Sequence, residues 1–292
     1  MERGKETSKI LAEKKPLKRK LSFRPSKRLG QHFLKDPDVI LEIILRAGFG
    51  SSDHILEIGA GLGALTLPLA GTVREITAVE KDARLTRLLD EKLSREGIDN
   101  VTLVNEDILK FDFDRLQCRS GEKIQVIGNL PYNISSPFLE TLINNRKLIS
   151  RAVLMFQVEL ARRLVSPPGN KAYGAITVMI RYHARVSPLL EVPGTAFFPK
   201  PKVGSMVLEL DFNRPHPNRA EDEKLFTMVV RNAFAHRRKK IINSFRGSRM
   251  PYTDEALIKA LNRCAIDPGK RAEELDIDDF LCLNDALAFL DK

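Results

Sequence analysis

Between positions 54 and 156 the chain repeats one pattern, a short apolar run, a turn, and then a longer amphipathic stretch. Residues 54–58, 76–79, 101–104, 125–128 and 152–156 read as strands, because each is a short, mostly apolar run between turn signals. Residues 62–70, 85–93, 137–143 and 158–165 carry the longer period of helices. Parallel strands cannot be joined by a tight hairpin and need a crossover, which a helix supplies. The alternation therefore predicts an α/β fold, a doubly wound, Rossmann-like parallel sheet with helices on both faces. Later runs at 186–192 and 205–212, separated by a proline-rich loop, suggest an antiparallel edge to that sheet.

Near Asn213 the character changes. Asn213-Arg214-Pro215-His216-Pro217 reads as a linker, and from 220 onward the pattern is helical without strand alternation. Phe226, Val229, Val230, Ala233 and Phe234 fall on one helix face. The expected organisation is a basic arm over 1–27, a ligand-binding α/β domain over 28–212, and a smaller all-helical domain over 213–292.

Glu57-Ile58-Gly59-Ala60-Gly61-Leu62-Gly63-Ala64 leaves the first strand and opens a helix. Glycines there let the backbone turn tightly and approach a ligand closely. Glu80 ends the second strand about twenty residues on, where a carboxylate can accept from both hydroxyls of a ribose. Strand, turn, helix and acid together point to a nucleotide-type ligand. The loop does not choose which one, because Gly59, Gly61 and Ala64 also satisfy the dinucleotide pattern of NAD enzymes. Asp107, after the third strand, could accept from an adenine amino group or could cap a turn. Glu106 competes for the first of these roles.

Asn129-Leu130-Pro131-Tyr132 follows the fourth strand directly. Ligands of open α/β sheets lie beyond the carboxyl ends of the strands. Asn129 offers a carbonyl acceptor, and Pro131 has no N–H to compete for neighbouring carbonyls. Two such acceptors can hold both hydrogens of an exocyclic amine and turn its lone pair toward an electrophilic methyl group. Tyr132 supplies a face for an unstacked base. The bland alternative is a tight turn that caps the strand with Tyr132 in the core.

These segments and others resemble the ribosomal RNA adenine dimethyltransferases of the kasugamycin-resistance type. The resemblance runs from about Lys27 to the C-terminus. It rests on Leu29-Gly30-Gln31-His32-Phe33-Leu34, the loop from Glu57 to Gly63, Val79-Glu80, Asp107 and Asn129-Leu130-Pro131-Tyr132-Asn133-Ile134-Ser135. Phe197-Phe198-Pro199-Lys200-Pro201-Lys202-Val203 and Arg237-Arg238-Lys239 complete it. It implies S-adenosyl-L-methionine as cofactor, cradled by His32, Leu34, Gly59, Gly61, Glu80, Asp107 and Asn129. It also implies a catalytic wall of Asn129, Leu130, Pro131 and Tyr132, with Tyr132 and Phe197 sandwiching the target adenine. Composition alone would place Phe197 in the core and His32 on the surface; the resemblance reverses both. The implied activity is N6,N6-dimethylation of two adjacent adenosines near the 3′ end of small-subunit RNA.

Charge fits a polyanionic partner. The formal net charge is +10, which suggests nucleic acid or an acidic membrane surface. Residues 1–28 hold eleven Lys or Arg and three Glu, a net of +8, so the rest of the chain carries only about +2. Such an arm is either a solvated tail or a phosphate-neutralising contact. Arg237, Arg238, Lys239 and Lys240 read as a second basic run, a solvated helix face by pattern and an RNA contact by resemblance. No apolar run approaches a membrane span. Cys118, Cys264 and Cys282 are scattered and odd in number, so neither a disulfide nor a zinc site is expected, and no metal is invoked. The expected setting is the cytoplasm, with a precursor of the small ribosomal subunit as partner, no DNA, and a monomeric enzyme. Three rivals remain: a large-subunit adenine N6-methyltransferase of the macrolide-resistance type, a nonenzymatic RNA-binding assembly or transcription factor on the same fold, and, more distantly, an NAD dehydrogenase.

Overall fold

The computed structural model describes residues 25–26, 29–116, 122–248 and 250–290. All but two residues of the basic arm lie outside the described residues, and so does Cys118. Nine strands are described: β1 (Phe33–Leu34), β2 (His54–Ile58), β3 (Glu75–Val79), β4 (Val101–Val104), β5 (Ile124–Asn129), β6 (Ile149–Gln157), β7 (Arg185–Val192), β8 (Phe197–Phe198) and β9 (Ser205–Asp211). Seven of them form one sheet in the order β4-β3-β2-β5-β6-β9-β7. The first five of that order are parallel, and β9 joins β6 and β7 antiparallel, which makes the expected antiparallel edge. β2 is buried at every position, as a central parallel strand must be.

The helices between the strands are α1 (Pro37–Ala47), α2 (Thr66–Ala70), α3 (Ala83–Glu96), α4 (Ser135–Asn144), α5 (Val158–Leu164) and α6 (Ala175–His183). Local chemistry sets their ends. Asp36 caps α1 by accepting from the Asp38 and Val39 amides, Pro37 stands in the first turn, and Gly48 closes it in the left-handed region. Asp82 and Gly97 do the same for α3. The helix expected over 62–70 is shorter than its pattern: residues 61–65 turn irregularly and only the last five positions are helical.

One buried cluster joins β5, β6 and β9 to α4, α5 and α6, and another joins β2, β3 and β6 to α1, α2 and α3, so the sheet is covered on both faces. A third cluster belongs to α7 (Glu223–Ala233), α8 (Ile241–Arg246), α9 (Asp254–Arg263) and α10 (Ile277–Leu290). It also takes in Tyr173, Val178 and Tyr182 on or beside α6. The Tyr182 ring lies 4.3 Å from Phe226, with the Arg219 guanidinium 3.9 Å over it. The helical layer is thus keyed into the sheet layer through α6.

Two expectations are corrected. Cys264 and Cys282 are disulfide-bonded, with Cα atoms 5.7 Å apart. The reversal between α9 and α10 brings them face to face, which an odd count and scattered positions did not suggest. The run from 236 to 240 lies on the turn linking α7 and α8 rather than on a helix. No described helix is long and apolar enough to cross a membrane.

Candidate active site

The chain enters the sheet at β2, adds β3 and β4 on one side, and then crosses to β5 on the other. The loops after β2 and β5 therefore diverge from adjacent strand ends, which is where an open sheet leaves a crevice. Ile58 pairs with Gly128, which brings the start of the glycine loop beside Asn129. The approach is close. A Cβ on Gly128 would lie 2.8 Å from the Ile58 carbonyl oxygen. Gly59, at φ +69°, would press a Cβ to 3.5 Å from the Asn129 carbonyl, in a conformation that L side chains avoid.

Between these loops opens a cavity of about 890 Å³. Its walls are the 29–35 segment, the loop from Gly59 to Leu65, Glu80, Asp107, the segment from Asn129 to Ile134, and Phe198. Every expected cofactor residue lines it: His32, Leu34, Gly59, Gly61, Glu80, Asp107 and Asn129. Leu130, Pro131 and Tyr132 do so as well.

Glu80 is buried and takes two backbone hydrogen bonds, from Gly61 N at 3.0 Å and Asp82 N at 2.8 Å. Burial raises its pKa. Each oxygen keeps a lone pair, so the carboxylate can still accept from two hydroxyls. Asp107 combines both readings. It caps a short 3-10 turn through the Leu109 amide, and its Oδ2 meets Lys81 Nζ at 2.7 Å, a contact that lowers its pKa. Glu106 instead pairs with Arg115 at 2.6 Å. Glu57, 1% exposed beneath the glycine loop, has no partner for Oε2, and burial pushes its pKa up to about 7.

Asn129 is oriented by its neighbour. Its Nδ2 donates to the His32 carbonyl at 3.0 Å, which leaves Oδ1 as the acceptor it presents. The Pro131 carbonyl is occupied by the Ile134 amide at 3.1 Å, whereas the Leu130 carbonyl accepts from no group among the described residues. Asn129 Oδ1 and Leu130 O are thus two acceptors of the segment with no donor among the described residues. The Tyr132 ring packs on the His32 imidazole at 5.4 Å, and its hydroxyl meets the buried Ser205 hydroxyl at 3.1 Å.

Phe197 does not line the cavity. It is 1% exposed and belongs to the core cluster under α1, whereas its neighbour Phe198 is 44% exposed and lines the cavity. β8 pairs antiparallel with β1, Leu34 opposite Phe197 and Phe33 opposite Phe198. Side chains alternate across such a pair, so Leu34 and Phe197 point inward while Phe33 and Phe198 face the other way. Gln31 and Asp82 are further contributors that the sequence reading missed. The Gln31 amide donates to Asp82 Oδ2 at 3.1 Å and accepts from Ser26 N, tying the 29–32 segment over the cavity. A hydrogen-bonded Arg84 holds Asp82 at a pKa of about 2.

The basic turn stands apart from the cavity. All four basic side chains are exposed, and Arg237 also donates to the Lys171 carbonyl and lies 4.0 Å from Glu273.

Residues 22–288 match the model of the family described as ribosomal RNA adenine dimethylase. The chain is 45% identical to the ribosomal RNA small subunit methyltransferase A of Desulforapulum autotrophicum, covering 93% of this chain and 95% of that protein. It is 39% identical to the protein of the same name from Lactiplantibacillus plantarum, covering 89% of each. Among solved structures it is similar to a dimethyladenosine transferase from Plasmodium falciparum, at 27% identity and TM-score 0.71 over 86% of this chain and 95% of that one. It is also similar to the 23S rRNA methyltransferase ErmE, at 26% identity and TM-score 0.67 over 88% and 99%. With residues 22–288 matching its model and relatives 39–45% identical over about nine-tenths of their length, this chain is a member of the ribosomal RNA adenine dimethylase family.

Proposed function

We propose that the protein uses S-adenosyl-L-methionine to dimethylate N6 of two adjacent adenosines near the 3′ end of small-subunit rRNA. The observation that carries this reading is the pair of open acceptors, Asn129 Oδ1 and Leu130 O, on the wall of the cavity beside the glycine loop. An exocyclic amine has two hydrogens, and two acceptors at one point hold both. The cavity suits the cofactor: a backbone cradle at Gly59, whose φ of +69° L side chains avoid, and the Glu80 carboxylate available to a ribose. When bound, the cofactor supplies a methyl group activated by a sulfonium. The adenine amine is a poor nucleophile because its lone pair is delocalised. The protein's part is therefore alignment and charge complementarity more than strong-base catalysis. Tyr132 and Phe198 give the base its aromatic surfaces.

The basic turn over Arg237, Arg238, Lys239 and Lys240 is the proposed phosphate contact, carried mainly by the last three, because the Arg237 side chain is engaged by Lys171 and Glu273. The substrate is a small-subunit precursor in the cytoplasm, met by a monomer, with no role for DNA. The proposed domain boundary lies near Asn213, with the arm before residue 28 as an accessory RNA contact. The macrolide-type reading shares the catalytic wall. It is disfavoured because relatives named for the small subunit are 39–45% identical, against 26% for the 23S enzyme. An NAD dehydrogenase would have no use for the open acceptors. The test is methyl transfer to unmodified small subunits, to large-subunit RNA and to DNA, with the product mapped. Dimethyladenosine confined to small-subunit RNA supports the proposal, and modification of large-subunit RNA alone would reject it.

A further inference from the structure

Methylating an amine leaves a proton to be removed, and each dimethylated adenosine requires this twice. Asn129 Oδ1 and the Leu130 carbonyl can hold the amine hydrogens but are far too weakly basic to keep a proton. Of the carboxylates on the wall, Glu80 is assigned to the ribose, Asp107 is paired with Lys81, Glu106 is paired with Arg115, and Glu96 stands at the far end of α3. Glu57 is fully buried below the loop.

His32 is different. It is the one histidine lining the cavity. Its Nδ1 lies 2.7 Å from the Pro199 carbonyl oxygen, which can only accept, so Nδ1 carries the hydrogen. In the neutral ring Nε2 then bears the free lone pair, and it has no partner among the described residues. The backbone carbonyl of the same residue orients Asn129, and its ring packs on Tyr132. The imidazole thus packs on Tyr132, and the backbone of the same residue holds the Asn129 amide.

We infer that His32 Nε2 is the proton acceptor of the methyl-transfer reaction, an inference that rests on the function proposed above. Bound S-adenosyl-L-methionine would supply the methyl group and keep the carbon–sulfur electron pair, which would leave N6 positive. One N–H bond then breaks, its electrons return to nitrogen, and the proton passes to Nε2. The imidazolium keeps its Nδ1–H bond to Pro199 throughout, so the ring does not swing as it is charged, and it returns the proton to water before the second transfer. The titratable and charged groups on the segments that hold the ring are Tyr132, Lys35, Lys200 and Lys202, and the cavity walls add Glu57, Glu80, Lys81, Lys92, Arg95, Glu96, Glu106 and Asp107. The Tyr132 hydroxyl is engaged by Ser205.

The test uses the full chain. His32→Asn keeps an amide nitrogen near the place of Nδ1 and removes Nε2. Single-turnover transfer to unmodified small subunits is measured from about pH 5 to about pH 9 for both proteins. Wild type should lose rate toward the acid end of that range, as a reaction that needs an unprotonated acceptor does. The variant should lack that limb and be slower at high pH by about 10-fold, below the usual range for proton transfer because water can substitute. Histidine ¹⁵N NMR of the unliganded protein, assigned by comparison with the variant, should find the neutral ring protonated at Nδ1. An unchanged pH profile in the variant, or a neutral ring protonated at Nε2, would overturn the inference. Wild type that fails to methylate small subunits at any pH would instead sink the function on which it rests.

Discussion

Replacing Glu57 by glutamine should flatten the dependence of stability on pH. The carboxyl is 1% exposed, one oxygen lacks a partner, and burial raises its pKa from 4.5 to about 7. The fold therefore prefers the protonated form. Below about pH 4.5 both folded and unfolded chains hold the proton, and Glu57 adds no pH dependence. Between 4.5 and 7 the unfolded chain releases it and the folded chain does not, so stability falls as pH rises. Above 7 the cost is fully present. At ~1.4 kcal/mol for each tenfold change in proton affinity, it is about 3 kcal/mol. Glutamine matches the neutral form in shape and does not titrate. Its buried NH₂ could cost about 1–3 kcal/mol if it finds no acceptor, so the diagnostic is the slope and not the offset. Urea unfolding followed by circular dichroism at a series of pH values supplies both curves. Wild type should lose about 3 kcal/mol more than the variant between pH 4.5 and 8. Parallel curves would refute the reasoning and mean that Glu57 reaches water or a partner in the folded protein.

The remaining predictions concern the site itself. Asn129→Ala should lower single-turnover transfer by about 100-fold or more while leaving unfolding unchanged, since it removes an acceptor aimed at the reacting amine; near-normal transfer would reject that role. Phe198→Ala should weaken transfer through about 1–3 kcal/mol of lost stacking at little cost in stability. Phe197→Ala should instead cost about 3–5 kcal/mol of stability, as for a buried aromatic, and the reverse pattern in melting and transfer assays would restore Phe197 as the stacking surface. Replacing Arg238, Lys239 and Lys240 by alanine should reduce the salt dependence of RNA binding, lowering the slope of log affinity against log salt by about 2. Calorimetric affinity for S-adenosyl-L-methionine should stay unchanged, and an equal loss in both measurements would indicate misfolding instead.

The sheet was legible because its signals are local. The inner parallel strands are largely buried and therefore read as short, mostly apolar runs, and the glycine loop and Asn129 follow such runs directly. α6 escaped notice for a related reason. Val178 and Tyr182 pack into the helical layer while Ile180 packs under the sheet, so the helix has no single apolar stripe to reveal its period. The cysteines misled because parity says nothing about a short hairpin of helices that places residues 18 positions apart in contact.

What stayed hidden in the active site was pairing over distance. Phe197 and Phe198 are identical neighbours, and nothing local says which one faces the cavity. That depends on a two-residue antiparallel pairing with Phe33 and Leu34, more than 160 positions away. The same pairing sets His32 against Pro199, 167 residues apart in sequence, and so decides which ring nitrogen is protonated. The strand ends put Asn129 beside Gly59, but it is the His32 carbonyl that orients the Asn129 amide and leaves its oxygen as the open acceptor. Motifs that can each be read in isolation thus acquire their chemistry from β1, two residues long. A substitution that weakened the β1–β8 pairing, with every motif residue left intact, would release Asn129, His32 and Phe198 together.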